Sequence, residues 1–131
     1  MKTFIVEDSP LILKKLISTL EELAPVQVVG SAADEATAVA WLADEGNHCD
    51  LVIIDIFLKA GTGLGVLRAA SKLGVKSKRV VLTNCATPDM REASRALGAD
   101  RVFDKSSQVE ELLTYCDKLH RGADSAPGAL G

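Results

Sequence analysis

The sequence predicts an α/β fold, a doubly wound five-stranded parallel sheet with helices on both faces. Three observations carry that expectation. Leu51 to Ile54 is an apolar run without polar alternation, as in a strand buried on both faces of a parallel sheet. Four further short strand-like runs flank it, each followed by an amphipathic or helix-capped segment. Polar residues close most of the strand-like runs, Asp55 closing the central one.

In chain order, Lys2 to Val6 is the first strand, delivering Glu7 and Asp8 at its carboxyl end. Ser9 is the N-cap of the first helix and Pro10 its first residue, where the missing N–H has no consequence. Ile12, Leu13, Leu16, Ile17, Leu20 and Leu23 form its apolar stripe, and Pro25 ends it. Val26 to Val29 reads as the second strand. Asp34 caps a helix that carries Val39, Trp41 and Leu42, and Gly46 with Asn47 breaks it. After Asp55, the glycines at 61, 63 and 65 read as a flexible loop before a short helix through Leu67 and Ala70. They do not form a dinucleotide cradle, since they follow the third strand and no acidic residue stands about twenty positions on. Arg79 to Leu82 is the fourth strand, ending at Thr83, and Pro88 with Asp89 opens a helix that Gly98 stops. Arg101 to Phe103 is the fifth strand, followed by Asp104 and Lys105. The last helix presents Val109, Leu112, Leu113, Cys116 and Leu119 and runs to about His120. Residues 1–121 are thus expected to form one domain and 122–131 a flexible tail.

Composition narrows the class. At 131 residues, 47% hydrophobic and 25% charged, the chain suits one globular domain. A formal charge of −3 supplies no electrostatic reason to expect nucleic acid or an anionic membrane as partner. The first residues are strand-like, not a basic-then-apolar leader, so a cytoplasmic protein is expected. Cys49, Cys85 and Cys116 are odd in number and widely spaced, which argues against a disulfide framework or a zinc site. His48 and His120 are isolated and read as ordinary surface histidines.

In a doubly wound sheet, ligands bind outside the carboxyl ends of the strands at the point where the winding reverses. Glu7, Asp8, Asp55, Thr83 and Lys105 are therefore expected along one rim. Carboxylates crowded at about 4 Å repel by ~4 kcal/mol per pair at an effective dielectric near 20, so such a site should hold a cation. Oxygen ligands in small number favour Mg2+, with Mn2+ as a substitute.

The set formed by Glu7 and Asp8, Asp55 with Gly63 eight residues on, Thr83, and Lys105 after Gly98 to Asp100 resembles the receiver domain of two-component response regulators. The match covers about residues 2 to 120. The resemblance implies a flavodoxin-like (β/α)5 fold with strand order 2-1-3-4-5, and a chain of this length is similar to a stand-alone receiver, expected as a monomer or weak dimer. It further implies that Asp55 accepts a phosphoryl group from a histidine kinase or phosphotransfer protein, forming an acyl phosphate. Asp8 and Asp55 would bind the metal directly, Glu7 through water, and the backbone carbonyl of Phe57 would complete the set. Lys105 and the Thr83 hydroxyl would stabilise the phosphoryl oxygens. Beyond self-phosphorylation and slow self-dephosphorylation, no enzymatic turnover is expected. Whether the signal is read by a downstream protein, or the chain is a phosphate sink or relay intermediate, stays open at this point.

Several positions depart from the family pattern. Lys59 stands where Pro is frequent, Thr62 where Asp is frequent, Asn84 where a smaller residue is usual, and Ser106 where Pro commonly follows the lysine. The aromatic that the family places three residues before the lysine is Val102 here, with Phe103 one position on. Coupling to the surface of the fourth helix, fifth strand and fifth helix is therefore expected through backbone movement after Thr83. Phe57 and Cys85, each two residues past a site residue, flank the path of a hydrolytic water and are candidates for setting phosphoryl lifetime. Kinase choice would rest mostly on surface residues of the first helix, such as Leu11, Lys14 and Lys15, and on the loop after the fifth strand.

Two other classes share this architecture. Flavin phosphate binding needs a Ser/Thr/Gly-rich first loop, where this chain has Glu7 and Asp8. A magnesium phosphohydrolase with an Asp nucleophile needs a second carboxylate as acid or base, whereas Ile56 and Phe57 follow Asp55.

Overall fold

The computed structural model describes residues 1–122, so most of the expected tail, 123–131, lies outside the described residues. Strands β1 (Lys2–Val6), β2 (Gln27–Ala32), β3 (Leu51–Ile54), β4 (Lys78–Thr83) and β5 (Arg101–Asp104) alternate with helices α1 (Pro10–Leu23), α2 (Glu35–Ala43), α3 (Gly63–Lys72), α4 (Pro88–Ala96) and α5 (Val109–His120). All strand pairs are parallel, in the order β2-β1-β3-β4-β5. This is the flavodoxin-like arrangement expected from the sequence. No helix among the described residues is long and apolar enough to cross a membrane.

Alternation along the strands divides the core into two layers. Ile5, Ile53, Val80, Leu82 and Phe103 face Leu16 and Leu20 of α1 and Leu112, Tyr115, Cys116 and Leu119 of α5. Phe4, Val6, Val52, Ile54, Val81 and Val102 face the other way, toward α2, α3 and α4. Because β3 is central and covered on both sides, all four of its residues are buried. That burial explains the unbroken apolar run.

Capping follows the sequence closely. Ser9 accepts from the Ile12 N–H at the start of α1, and Asp34 accepts from the Thr37 N–H at the start of α2. The Thr37 N–H holds the Asp34 carboxyl below the usual range.

Two expectations are corrected. The second strand extends past Val29 through Gly30 and Ser31 to Ala32, because its ladder to β1 continues with Ile5 opposite Ser31 and Val6 opposite Ala32. An edge strand tolerates these small polar residues, and at Gly30 a Cβ would lie 2.8 Å from Trp41 Nε1, which stacks on Phe4. The second correction concerns the supposed flexible loop. Gly63 and Gly65 belong to α3, which Thr62 caps by accepting from the Gly65 N–H. Their lack of a side chain serves close packing: a Cβ on Gly63 would lie 2.1 Å from the Asp55 carbonyl oxygen, and one on Gly65 would lie 2.3 Å from the Glu35 carboxylate.

Helix α4 differs from the others. Its one fully buried residue is Ser94, whose hydroxyl finds no hydrogen-bond partner. Only Met90 adds a partly buried apolar contact within its span, with Leu97 just beyond.

Candidate functional site

Glu7, Asp55 and Lys105 each continue a strand by one step and are fixed by a backbone hydrogen bond to the neighbouring strand, while Thr83 is the last residue of β4 and Asp8 follows Glu7. The Glu7 N–H donates to Ala32 O, the Asp55 N–H to Val6 O, and the Lys105 N–H to Thr83 O. Parallel register therefore brings the carboxyl ends of β1, β3, β4 and β5 to one edge, with β1 and β3 adjacent at the winding reversal.

Glu7, Asp8 and Asp55 each offer a carboxylate oxygen within 4.8 Å of the others. Glu7 is 3% exposed and Asp55 8%, so their charges are poorly hydrated. Lys105 Nζ donates to Glu7 Oε1 at 2.5 Å and to Asp55 Oδ2 at 2.8 Å. The Ser9 N–H donates to the second oxygen of Glu7 at 3.0 Å. Burial works to lower the Lys105 pKa, but hydrogen bonds and charges from Asp55 and Glu7 outweigh it and hold the ammonium above its ordinary range.

Three carboxylates against one ammonium leave a formal charge of about −2, which a divalent cation would cancel. The all-oxygen donor set suits a hard ion such as Mg2+.

Thr83 is fully buried, and its hydroxyl accepts from the Cys85 N–H at 3.3 Å. Cys85 is half-buried. Phe57 is 58% exposed, and its backbone forms an antiparallel bridge with Thr62. Val102 and Phe103 go to opposite faces of the sheet. Val102 joins the layer containing Ala86 and Met90, whereas Phe103 packs on Tyr115 with ring centroids 5.9 Å apart. The Lys105–Ser106 peptide is trans.

Sequence reasoning missed three residues around this rim. Glu35 reads in the sequence as an acidic residue in a helix's first turn. Its carboxylate accepts the Thr62 N–H at 2.9 Å, and its own N–H donates to Ala60 O, tying α2 to the loop that follows Asp55. The glycines at 61 and 65 leave room for it, but nothing in the sequence links them to position 35. Arg91 and Gln108 resemble ordinary exposed polar residues, yet the Arg91 guanidinium reaches Ala86 O, Val102 O and Gln108 Oε1.

Comparison with known proteins agrees with this fold. The response regulator receiver domain family model matches residues 3–117. The chain is 30% identical over 123 residues to the uncharacterized transcriptional regulatory protein YvfU of Bacillus subtilis, covering 93% of this chain and 60% of that protein. It is 34% identical over 116 residues to the nitrate/nitrite response regulator protein NarP of Escherichia coli, covering 86% of this chain and 51% of NarP. The chain thus spans between half and three-fifths of the length of these relatives. Among solved structures, the receiver domain of the Francisella response regulator 1452 superposes with a TM-score of 0.80 at 18% identity, over 92% of this chain and 97% of that one.

Proposed function

The chain belongs to the response regulator receiver domain family, and from that premise we propose that it accepts a phosphoryl group on Asp55 from a histidine kinase or phosphotransfer protein. The observation that carries this reading is the Lys105 ammonium held between the Glu7 and Asp55 carboxylates in a three-carboxylate cluster. An Asp55 oxygen attacks the phosphorus of the donor phosphohistidine. The P–N bond breaks, its electron pair leaves with the imidazole, and an acyl phosphate forms on Asp55. Asp8 and Asp55 directly, Glu7 through water and the Phe57 carbonyl would hold Mg2+ or Mn2+. That cation supplies neutralising charge beside the phosphoryl oxygens.

The protein's own residues do the positioning. Lys105, already bonded to Asp55, pairs in this reading with an oxygen of the group added there. The Thr83 hydroxyl, at the end of the adjacent strand, donates to another phosphoryl oxygen in this reading, and as it turns toward Asp55 the Cys85 N–H that the same oxygen accepts is drawn along. Moving a switch from 1:99 to 99:1 needs about 5.5 kcal/mol of differential stabilisation. One charge-assisted hydrogen bond contributes about 1.5 to 3 kcal/mol, so several contacts change together.

The reading includes a cytoplasmic setting. In this reading the receiver fold itself makes no direct nucleic-acid contact, although the relative YvfU is a transcriptional regulatory protein and NarP a nitrate/nitrite response regulator. What reads the signal depends on the whole native protein. Its size in the source cells distinguishes a receiver acting alone from one joined to an output segment.

Incubation with acetyl phosphate and Mg2+ tests the central claim. Mass spectrometry should find one added phosphoryl group in the wild type and none in Asp55→Asn. Equal labelling of the two proteins, or labelling that ignores chelation of the metal, overturns it.

A further inference from the structure

We propose that Arg91 is the positioning residue that transmits the state of the Asp55 site from the loop after Thr83 to β5 and the turn that follows it. The inference rests on the phosphoacceptor reading above. Three segments meet on one guanidinium. Nε donates to Ala86 O at 3.0 Å, Nη1 to Val102 O at 2.8 Å, and Nη2 to Gln108 Oε1 at 2.7 Å. Ala86 lies three residues beyond Thr83 and next to Cys85, whose N–H the Thr83 hydroxyl accepts, so this stretch follows when the Thr83 side chain turns toward Asp55. Gln108 Oε1 also accepts the Asp104 N–H at 2.8 Å, and the Gln108 N–H donates to Asp104 O, so the same link ends on the residue before Lys105.

Other routes across this region are thin. Val102 has no ring to rotate between two positions, and Phe103 faces the opposite layer. Helix α4 buries only Ser94 fully, so it has little apolar anchorage to hold it in place. A planar guanidinium presents its donors in a fixed fork. When Ala86 shifts relative to Val102, the fork must either carry β5 and Gln108 with it or give up bonds. Either outcome makes the contact a two-position element that the site can bias.

Hydrogen–deuterium exchange of the full chain, with and without Mg2+ and beryllium fluoride as the phosphoryl mimic, tests the inference. In the wild type the mimic should alter exchange in both 84–87 and 102–108. In Arg91→Ala the response at 84–87 should persist while that at 102–108 falls by about threefold or more. Arg91→Lys, whose single ammonium lacks the fork, should behave the same way, as should Gln108→Ala. These two variants decide the matter if Arg91→Ala does not fold. A full response at 102–108 in variants that bind the mimic overturns the inference and leaves the phosphoacceptor reading standing. A wild type that responds only at 84–87 overturns it as well. A wild type silent at both segments overturns the phosphoacceptor reading and this inference together.

Discussion

The Lys105 ammonium lies 2.8 Å from the Asp55 carboxylate, joining two residues fifty positions apart, and the same nitrogen reaches Glu7. In this arrangement the lysine provides the counter-charge that a metal would otherwise supply alone. Lys105→Ala should therefore destabilise the metal-free protein by about 3 kcal/mol, since it leaves buried carboxylates uncompensated. The same change should raise the gain in stability on adding Mg2+, because the ion then has no competing cation at Glu7 and Asp55. Urea denaturation with and without MgCl2 measures both. A smaller Mg2+ gain in the variant would contradict the charge argument.

Gly63 is a steric requirement at the back of Asp55. Its added Cβ would lie 2.1 Å from the Asp55 carbonyl oxygen and 2.8 Å from Ile56 Cα, both backbone atoms that cannot rotate away. Gly63→Ala should cost about 3 kcal/mol and, by displacing Asp55, slow the proposed phosphoryl transfer. Gly74→Ala is the contrast. Its φ of +70° carries a conformational penalty of about 1 kcal/mol, but nothing lies within 4 Å of the new methyl group. Thermal melts and acetyl-phosphate kinetics on the pair separate close packing from backbone preference.

Phe57 leaves 58% of its surface exposed two residues beyond Asp55. If Asp55 carries the proposed acyl phosphate, an apolar ring there would hinder ordered water beside it, whereas an amide would bind that water. Phe57→Asn should shorten the phosphoryl half-life by roughly threefold, a barrier change of about 0.7 kcal/mol. Decay of labelled protein after removal of the donor gives the rate. An unchanged half-life would remove Phe57 from any role in lifetime.

Alkaline pH should weaken the fold through Cys116. Burial pushes its thiol from an ordinary value of 9.0 up to about 11. Between those values the unfolded chain releases the proton and the native chain keeps it, so stability falls as pH rises, by about 2 to 3 kcal/mol across the window. Cys116→Ala should flatten most of that slope in urea titrations. A residue of it should remain, because burial also raises the Cys49 thiol. Lys105 acts later. Its contribution is fully present below its ordinary value of 10.5 and is lost only as pH passes its raised native pKa.

The sequence alone determined the fold class and the edge of the sheet at which Glu7, Asp8, Asp55, Thr83 and Lys105 gather. Burial of β3 on both faces leaves an unbroken apolar run, caps are local bonds between residues three apart, and parallel strands with right-handed crossovers bring their carboxyl ends to one edge. Those are short-range or topological rules, so they can be read from residue order. The glycines were misread for the opposite reason. Gly63 and Gly65 owe their identity to the Asp55 carbonyl and the Glu35 carboxylate, neighbours that no local pattern reveals. Only the tertiary structure decided that Lys105 bonds both Glu7 and Asp55, that Glu35 ties down the loop that follows Asp55, and that Arg91 gathers three segments onto one side chain. Long charged side chains choose partners by where the folded backbone places them, and that placement depends on all the strands and helices at once.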